Sequence, residues 1–425
     1  MRVLVIGSGA REHALATRLL ADRDVSELLV APGNPGISEI ARTFPISSTD
    51  LDAILGLAER ERIDLTVVGP EAPLSLGLAD RFAAARRLIV GPSAAAAKLE
   101  SSKVFAKAFM ARHRVPTARY RTCASLDDAL AAVRSDEFGY PVVLKADGLA
   151  AGKGVVIAPD REAAEAAAVA AMRDRRFGAA GERLVIEECL SGPEVSFFVL
   201  TDGHRAANIG TAQDHKRIFD DDRGPNTGGM GAFAPSPLVD AALEARIVRE
   251  IVEPVVHGMA VEGHPYTGFL YVGLMLTSDG PKVIEFNARL GDPETQVILP
   301  LVDEPFVPLL AAVARKDLRQ AAVRLGTDRT VCVVLASRGY PDSSESDRPI
   351  NGVDEAARIE GVSVYHAGTA MKNGMLVTAG GRVLTVVGRG ATYSEAMTRA
   401  YAGTLRISFD GMQYRRDIGR KALAF

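Results

Sequence analysis

Lys145 and Lys153 lie in the run VVLKADGLAAGKGVVI (142–157), where Gly148, Gly152 and Gly154 separate two apolar, β-branched stretches. Glycine lets a backbone approach an anion closely and turn its N–H groups inward, while two ammonium groups neutralise charge that the amides cannot. Such a loop suits phosphate. The common phosphate loop, G-x-x-x-x-G-K-[ST], does not fit: counting back from Gly152 and Lys153, its first glycine falls at Asp147 and its magnesium-binding hydroxyl at Gly154. Val155, Val156 and Ile157 then continue as a strand rather than opening a helix. The reading is strand, glycine flap, strand, a hairpin lid over a nucleotide triphosphate; an ordinary Gly-rich hairpin with solvated lysines is the alternative.

Other residues carry compatible chemistry. In KVIEFNARLGDPETQ (282–296), Glu285 and Asn287 emerge two residues apart on one face of a strand, with Arg289 and Asp292 just beyond. A carboxylate and an amide oxygen on a rigid strand offer ligands for Mg²⁺ bound to phosphates. A structural ion pair fits less well, because Glu285 is an isolated acid in an apolar strand. Glu187-Glu188-Cys189-Leu190, with Glu194 beyond, places acids beside an apolar hinge, which suits an adenine edge and ribose hydroxyls; surface acids would look the same. The segment TAQDHKRIFDDDRGPNTGGMGAFAPSP (211–237) reads as too polar and glycine-rich to be a core element. Its Asp214, Lys216, Arg217 and Gly228-Gly229 pair can bind a carboxylate or phosphate, or belong to a mobile surface loop. Lys103 and Lys107 lie one turn apart on a predicted helix over 101–118, a spacing that usually marks a solvated face.

These residues need elements to position them. Residues 1 to about 100 alternate short apolar runs (3–6, 28–31, 65–68, 88–90) with helical patterns, which predicts a parallel, doubly wound α/β domain. Each run ends in glycine or proline (GSG, PGNPG, GPEAP, GPS), and loops at the carboxyl ends of parallel strands are where such sheets bind ligands. The first loop begins a G-x-G pattern, but Glu12 at the third glycine position would repel a pyrophosphate. A single phosphate on the amides of residues 8–10 remains open, and His13 reads as a surface or satisfied structural histidine. Residues 119–190 predict a small α/β lobe. The last hundred residues predict a third α/β piece without a visible catalytic cluster.

Composition narrows the classes. Fifty Lys+Arg against 53 Asp+Glu gives a net charge of -3, so no polybasic field is available to hold nucleic acid or an anionic membrane. Small-molecule partners are expected. Cys123, Cys189 and Cys332 are odd in number and embedded in apolar runs, which predicts buried, reduced thiols in a cytoplasmic protein. The first apolar run is too short for a signal peptide, and no window reaches the ~18 apolar residues of a membrane span.

The motifs VIGSGAREHALA, VGPEAPL, LKADGLAAGKGVVI, QDHKR, GPNTGGMGAF, TGFLYVGLM and VIEFNARLGDPETQ, with HAGT (366–369) and GGRVL (380–384), closely resemble the glycinamide ribonucleotide synthetase family of the ATP-grasp superfamily. The resemblance covers nearly the whole chain. It implies a multidomain α/β and α+β fold: an N-terminal pre-ATP-grasp domain (1–102), an ATP-grasp domain (103–318) with a lid lobe at about 119–190, and a C-terminal α/β domain (328–425). It also implies the reaction, in which ATP, glycine and 5-phosphoribosylamine give glycinamide ribonucleotide, ADP and phosphate in de novo purine synthesis. ATP and Mg²⁺ or Mn²⁺ are the implied cofactors, and a monomer is expected. Carried over by position, Lys103 and Lys145 look like the lysines on the ATP phosphates, with Gly152, Lys153 and Gly154 in the flap. Glu187, Glu188 and Leu190 look like the adenine hinge, Glu194 the ribose acid, and Glu285 and Asn287 the metal ligands. Asp214, Arg289 and Asp292 lie where glycine and its acyl phosphate are handled. Gly9, Glu12, Gly33, Asn34, Pro70 and Glu71 in the N-terminal loops, with Thr227, Gly228 and Gly229, are the candidate substrate-binding residues. One departure stands out. Gly273 and Leu274 occupy the preceding strand where many ATP-grasp enzymes place another metal-binding acid. The rival classes are another ATP-grasp carboxylate–amine ligase, a nucleotide-binding regulatory module without catalysis and, third, a dehydrogenase.

Overall fold

A computed structural model describes residues 1–149 and 154–425 of the chain. The N-terminal strands Arg2–Gly7, Glu27–Pro32, Arg42–Thr43, Leu65–Val68 and Ile89–Val90 form a parallel sheet in which the first strand lies centrally, between the second and fourth. Strand side chains alternate between faces, and both faces are covered. Val3 and Val5 join a core with Leu15 and Leu19 of helix Ala10–Leu20, whereas Leu4 and Ile6 join another with Ile54 and Leu57 of helix Leu51–Arg60. Full burial of each such side chain contributes about 1.5–3 kcal/mol, which explains the unbroken apolar runs. The doubly wound expectation holds.

The lid lobe is a four-stranded antiparallel sheet of Tyr120–Cys123, Leu184–Glu188, Val142–Ala146 and Val155–Ala158, in that order. Helices Leu126–Arg134 and Arg161–Met172 pack on it through Ala129, Ala132, Ala164, Ala168 and Ala171. Alanine buries little apolar area per residue, so this lobe has less hydrophobic stabilisation than the leucine- and phenylalanine-filled cores beside it.

The third sheet has eight strands. Its edge strand is Gly280–Asn287, followed inward by Thr267–Thr277, Glu194–Asp202, Ala206–Asp214, Gly231–Ala234, Arg329–Ala336, Arg382–Gly390 and Val362–His366. The short strand Gly231–Ala234 corrects an expectation, since the glycine-rich segment 211–237 was predicted to hold no core element. It is fully buried and joins the C-terminal strands to the rest of the sheet. Its small residues are a packing requirement, because a Cβ on Gly231 would lie 2.5 Å from the Cys332 carbonyl oxygen. Among the described residues no helix is long and apolar enough to cross a membrane.

Candidate active site

Lys103 opens helix Lys103–Arg112, whose N-cap Ser102 accepts a hydrogen bond from the Phe105 amide. Asp147, just after strand Val142–Ala146, accepts hydrogen bonds from Ser102 Oγ (2.9 Å) and the Val104 amide (3.1 Å). A carboxylate on a helix N-terminus is favoured by the exposed amides, so Asp147 ties the lid to this helix. Lys103 Nζ in turn donates to the Gly148 carbonyl at 3.0 Å. Lys103 and Gly148 are therefore held at the same corner. Gly152 and Lys153 lie outside the described residues; Gly154 is buried, and its carbonyl accepts from the Ala146 amide at 2.8 Å.

Lys145 and Glu187 occupy neighbouring lid strands, where Val143 pairs with Glu187 and Lys145 with Val185. This diagonal register puts both side chains on one face. Lys145 Nζ ion-pairs with Glu187 Oε1 and donates to the Ile284 carbonyl of the metal-candidate strand at 3.0 Å. Glu187 Oε2 ion-pairs with Lys107. Lys107 thus departs from the predicted solvated face: it is 3% exposed, enclosed beneath the lid rather than facing water. Burial pulls the Lys103 and Lys107 ammonium groups below their ordinary range, against the pull of Glu285 on Lys103 and of Glu187 on Lys107. Glu188 pairs with Arg119 at 2.8 Å, and Cys189 is half-buried rather than buried.

Opposite these cations, Glu285 and Asn287 face the same side of the edge strand and are half-buried. Among the described residues neither side chain makes a hydrogen bond or ion pair within the protein, so their oxygens fit a divalent cation that also binds phosphates. No cluster of three or more His, Cys, Asp or Glu suited to a metal occurs among the described residues. Gly273 pairs directly with Glu285, and a Cβ there would lie 3.3 Å from Glu285 Cγ, so an acid at 273 would crowd the strand.

Arg289 leaves this strand into a cluster of acids. Its Nε is 3.2 Å from Glu71 Oε2, its Nη2 is 3.2 Å from Glu100 Oε1, and its Nη1 donates to the Leu290 carbonyl. Glu100 Oε2 accepts from the Ala288 amide at 2.6 Å. Burial raises the Glu100 pKa, whereas at Glu71 Arg289 and Arg11 outweigh burial and lower it. Asp292 is 3.2 Å from Arg382 Nη2 and accepts from Gln296 at 2.7 Å; Arg382, then Arg11, hold its carboxyl below the usual range despite burial. Arg382 also donates to the Gly228 carbonyl (2.6 Å), and the Tyr340 hydroxyl accepts from the Gly228 amide (2.9 Å). Two C-terminal side chains, Arg382 and Tyr340, therefore reach the candidate residues Asp292 and Gly228. Thr227 Oγ1 donates to the Lys216 carbonyl and accepts from Gly229, whose φ of +112° requires glycine.

Lys216 bridges Asp214 (3.1 Å) and Glu194 (3.2 Å). Burial opposes its charge, but Asp214, Tyr271, Glu194 and Glu285 together raise its pKa well above the ordinary value. Next to it lies Glu294, buried against Ser196 Oγ at 3.2 Å, where burial and then Asp214 raise its carboxyl to about 7. Sequence reasoning missed Glu294, Glu100, Lys107 and Arg382. For Glu294 a signal existed, an acid in the apolar helix start ETQVI; the others carry none.

The N-terminal residues are committed to structure. Glu12 accepts from the Gly9 amide (2.6 Å) and pairs with Arg11 (2.6 Å), so one of the three amides considered for phosphate is already used. Asn34, beside Gly33, donates to both the Ser8 and His366 carbonyls at 2.8 Å and caps helix Pro35–Ser38. His13 is a satisfied structural histidine, accepting from the His366 amide at 2.9 Å. Pro70 caps the helix that begins at Glu71.

The chain matches the N domain of phosphoribosylglycinamide synthetase over residues 1–100, its ATP-grasp (A) domain over 101–295 and its C domain over 330–421. A phosphoribosylamine–glycine ligase of Xanthomonas axonopodis pv. citri is 50% identical, covering 100% of this chain and 98% of its own. One from Ralstonia nicotianae is 48% identical, covering 100% of both. The crystal structure of phosphoribosylamine–glycine ligase from Thermotoga maritima superposes with a TM-score of 0.86 at 35% identity, covering 98% of this chain and 100% of that one. A biotin carboxylase domain from Hydrogenobacter thermophilus, at 19% identity and a TM-score of 0.71 over 97% of this chain and 91% of its own, shares the fold.

Proposed function

Because the chain belongs to the phosphoribosylglycinamide synthetase family, we propose how its own residues divide the work of an ATP-dependent amide-forming ligase. The enzyme joins glycine to 5-phosphoribosylamine, giving glycinamide ribonucleotide, ADP and phosphate in purine biosynthesis. One observation supports the division of labour: Lys145 donates to the Ile284 carbonyl of the strand that carries Glu285 and Asn287, which make no side-chain bond among the described residues, and the Glu285 carboxylate acts on the Lys103 ammonium.

Amide formation from an unactivated carboxylate is uphill in water. A glycine carboxylate oxygen attacks the γ-phosphorus of ATP, ADP leaves, and glycyl phosphate forms. Lys103 and Lys145 hold the phosphates and offset the repulsion between triphosphate and carboxylate. Glu285 and Asn287 would hold Mg²⁺ or Mn²⁺, which when bound supplies Lewis-acid polarisation of the phosphate oxygens. The backbone of Glu188 to Leu190 receives adenine, and Glu194 the ribose. The amine of phosphoribosylamine then attacks the acyl carbon, the C–N bond forms, phosphate leaves, and the nitrogen gives up a proton. Glu294 is suited to take it, because its carboxyl titrates near neutrality beside Asp214 and Lys216. Arg289 and Asp292 orient glycine and its acyl phosphate. Gly9, Gly33, Pro70 and Glu71, with the Thr227–Gly229 turn, shape the phosphoribosylamine pocket, while Glu12 and Asn34 support its loops. The flap around Gly148 and Gly154 closes over the acyl phosphate and keeps water away. The protein acts in this reading as a cytoplasmic monomer on small molecules.

Isotope transfer tests the route. Glycine labelled with ¹⁸O in its carboxylate is expected to deliver one labelled oxygen to the released phosphate. Unlabelled phosphate from complete turnover would reject the acyl phosphate.

A further inference from the structure

Lys107 is one helical turn from Lys103 and is enclosed by neighbouring side chains. Its Nζ donates to Thr117 Oγ1 at 2.8 Å, ion-pairs with Glu187 Oε2, and lies 5.5 Å from the centroid of the Tyr120 ring. Thr117 Oγ1 passes the chain on, donating to the Val283 carbonyl of the metal-candidate strand at 2.7 Å. Lys107 therefore cannot reach a phosphate, yet it shares Glu187 with the lysine that can. Lys145 takes the other oxygen of the same carboxylate and uses a second N–H on Ile284.

Charge counting gives this arrangement a purpose. A buried carboxylate facing a single lysine would neutralise it and hold it as a closed ion pair. With two lysines on one carboxylate, the cluster keeps a net positive charge, and Lys145 retains one N–H for an incoming oxygen. We propose that Lys107 is a positioning residue for nucleotide binding: by taking one oxygen of Glu187 it shares that carboxylate's charge, so that Lys145 keeps an N–H to offer an ATP phosphate. This rests on the reading that Lys145 is a phosphate ligand.

The test is a mutant cycle read as the Kd of Mg-ADP and of a non-hydrolysable ATP analogue by calorimetry. Lys107→Met is expected to weaken binding at least about tenfold, because Glu187 then captures Lys145. Lys107→Arg keeps the charge and is expected to bind close to the parent. Adding Glu187→Gln to Lys107→Met is expected to restore most of the lost affinity. That double variant removes one charge of each sign and leaves Lys145 held by the Ile284 carbonyl, and it is the variant measured if the single variant does not fold. In that event the comparison is between Glu187→Gln alone and the double variant, which are expected to bind alike. A double variant at least about tenfold weaker than Glu187→Gln, or a Lys107→Met protein that binds normally, overturns the proposal. Lys145→Met separates the two readings. If it weakens binding while Lys107→Met does not, only the role of Lys107 fails; if neither changes binding, the assignment of Lys145 to the phosphates fails as well.

Discussion

Two charge clusters, one buried and one partly buried, flank the metal-candidate strand with opposite stoichiometry. On one side, Lys107 and Lys145 share the single carboxylate of Glu187, and Lys145 touches Ile284. On the other, Glu71 and Glu100 share the single guanidinium of Arg289, and Glu100 holds the Ala288 amide. A surplus cation suits the end that must receive a triphosphate. A surplus of acid locks Arg289 in one orientation, and planar guanidinium can serve two carboxylates at once where an ammonium cannot hold the same geometry. In the proposed division of labour, Lys107 and Lys145 stand on the nucleotide side and Arg289 on the substrate side.

The largest expected effect lies between the clusters. Glu285→Ala is expected to reduce ADP formation by about a thousandfold or more while leaving the circular dichroism spectrum unchanged; near-normal turnover would remove Glu285 from the metal site. The clusters themselves differ next. Arg289→Met strands the buried Glu100 beside the half-buried Glu71 and is expected to cost about 3–5 kcal/mol in denaturant unfolding. Lys145→Met leaves Glu187 still paired with Lys107 and is expected to cost less, so equal losses would dissolve the contrast.

The candidate strand was legible in the sequence because its groups follow a short-range pattern. The alternation in KVIEFN placed Glu285 and Asn287 on one face, as the strand shows, whereas Gly152 and Lys153 of the expected flap lie outside the described residues. Lys107 was misjudged because helical spacing reveals which residues are neighbours, not which face is covered, and its cover comes from Glu187, eighty residues later. The substrate side was less legible, since Arg289 is matched by Glu71 and Glu100, and Asp292 by Arg382, across long separations. The strand Gly231–Ala234 was hidden because small residues that permit close sheet packing resemble a loop in composition.

Two pH effects sharpen the picture further. With Glu294 raised to about 7, the rate of the amine-attack step is expected to rise with pH through that value, and Glu294→Gln should be slower and lose that limb in single-turnover measurements. The smallest effect concerns the joint between the N- and C-terminal regions. Burial lowers His13 to about 3, with the His366 charge adding to it, and burial lowers His366 to about 4. Both are depressed below the unfolded value of 6.5, so the stability they contribute is complete above that pH and is lost as pH falls towards 4. Melting temperature should fall over this window and fall less in His366→Asn.

Soaking crystals with magnesium and a non-hydrolysable ATP analogue tests the whole account most directly. The phosphates are expected between the ammonium groups of Lys103 and Lys145 and the side chains of Glu285 and Asn287, with adenine against Glu188 to Leu190. A well-ordered nucleotide bound elsewhere, with Lys145 still closed on Glu187 and Glu285 touching neither metal nor phosphate, would contradict it.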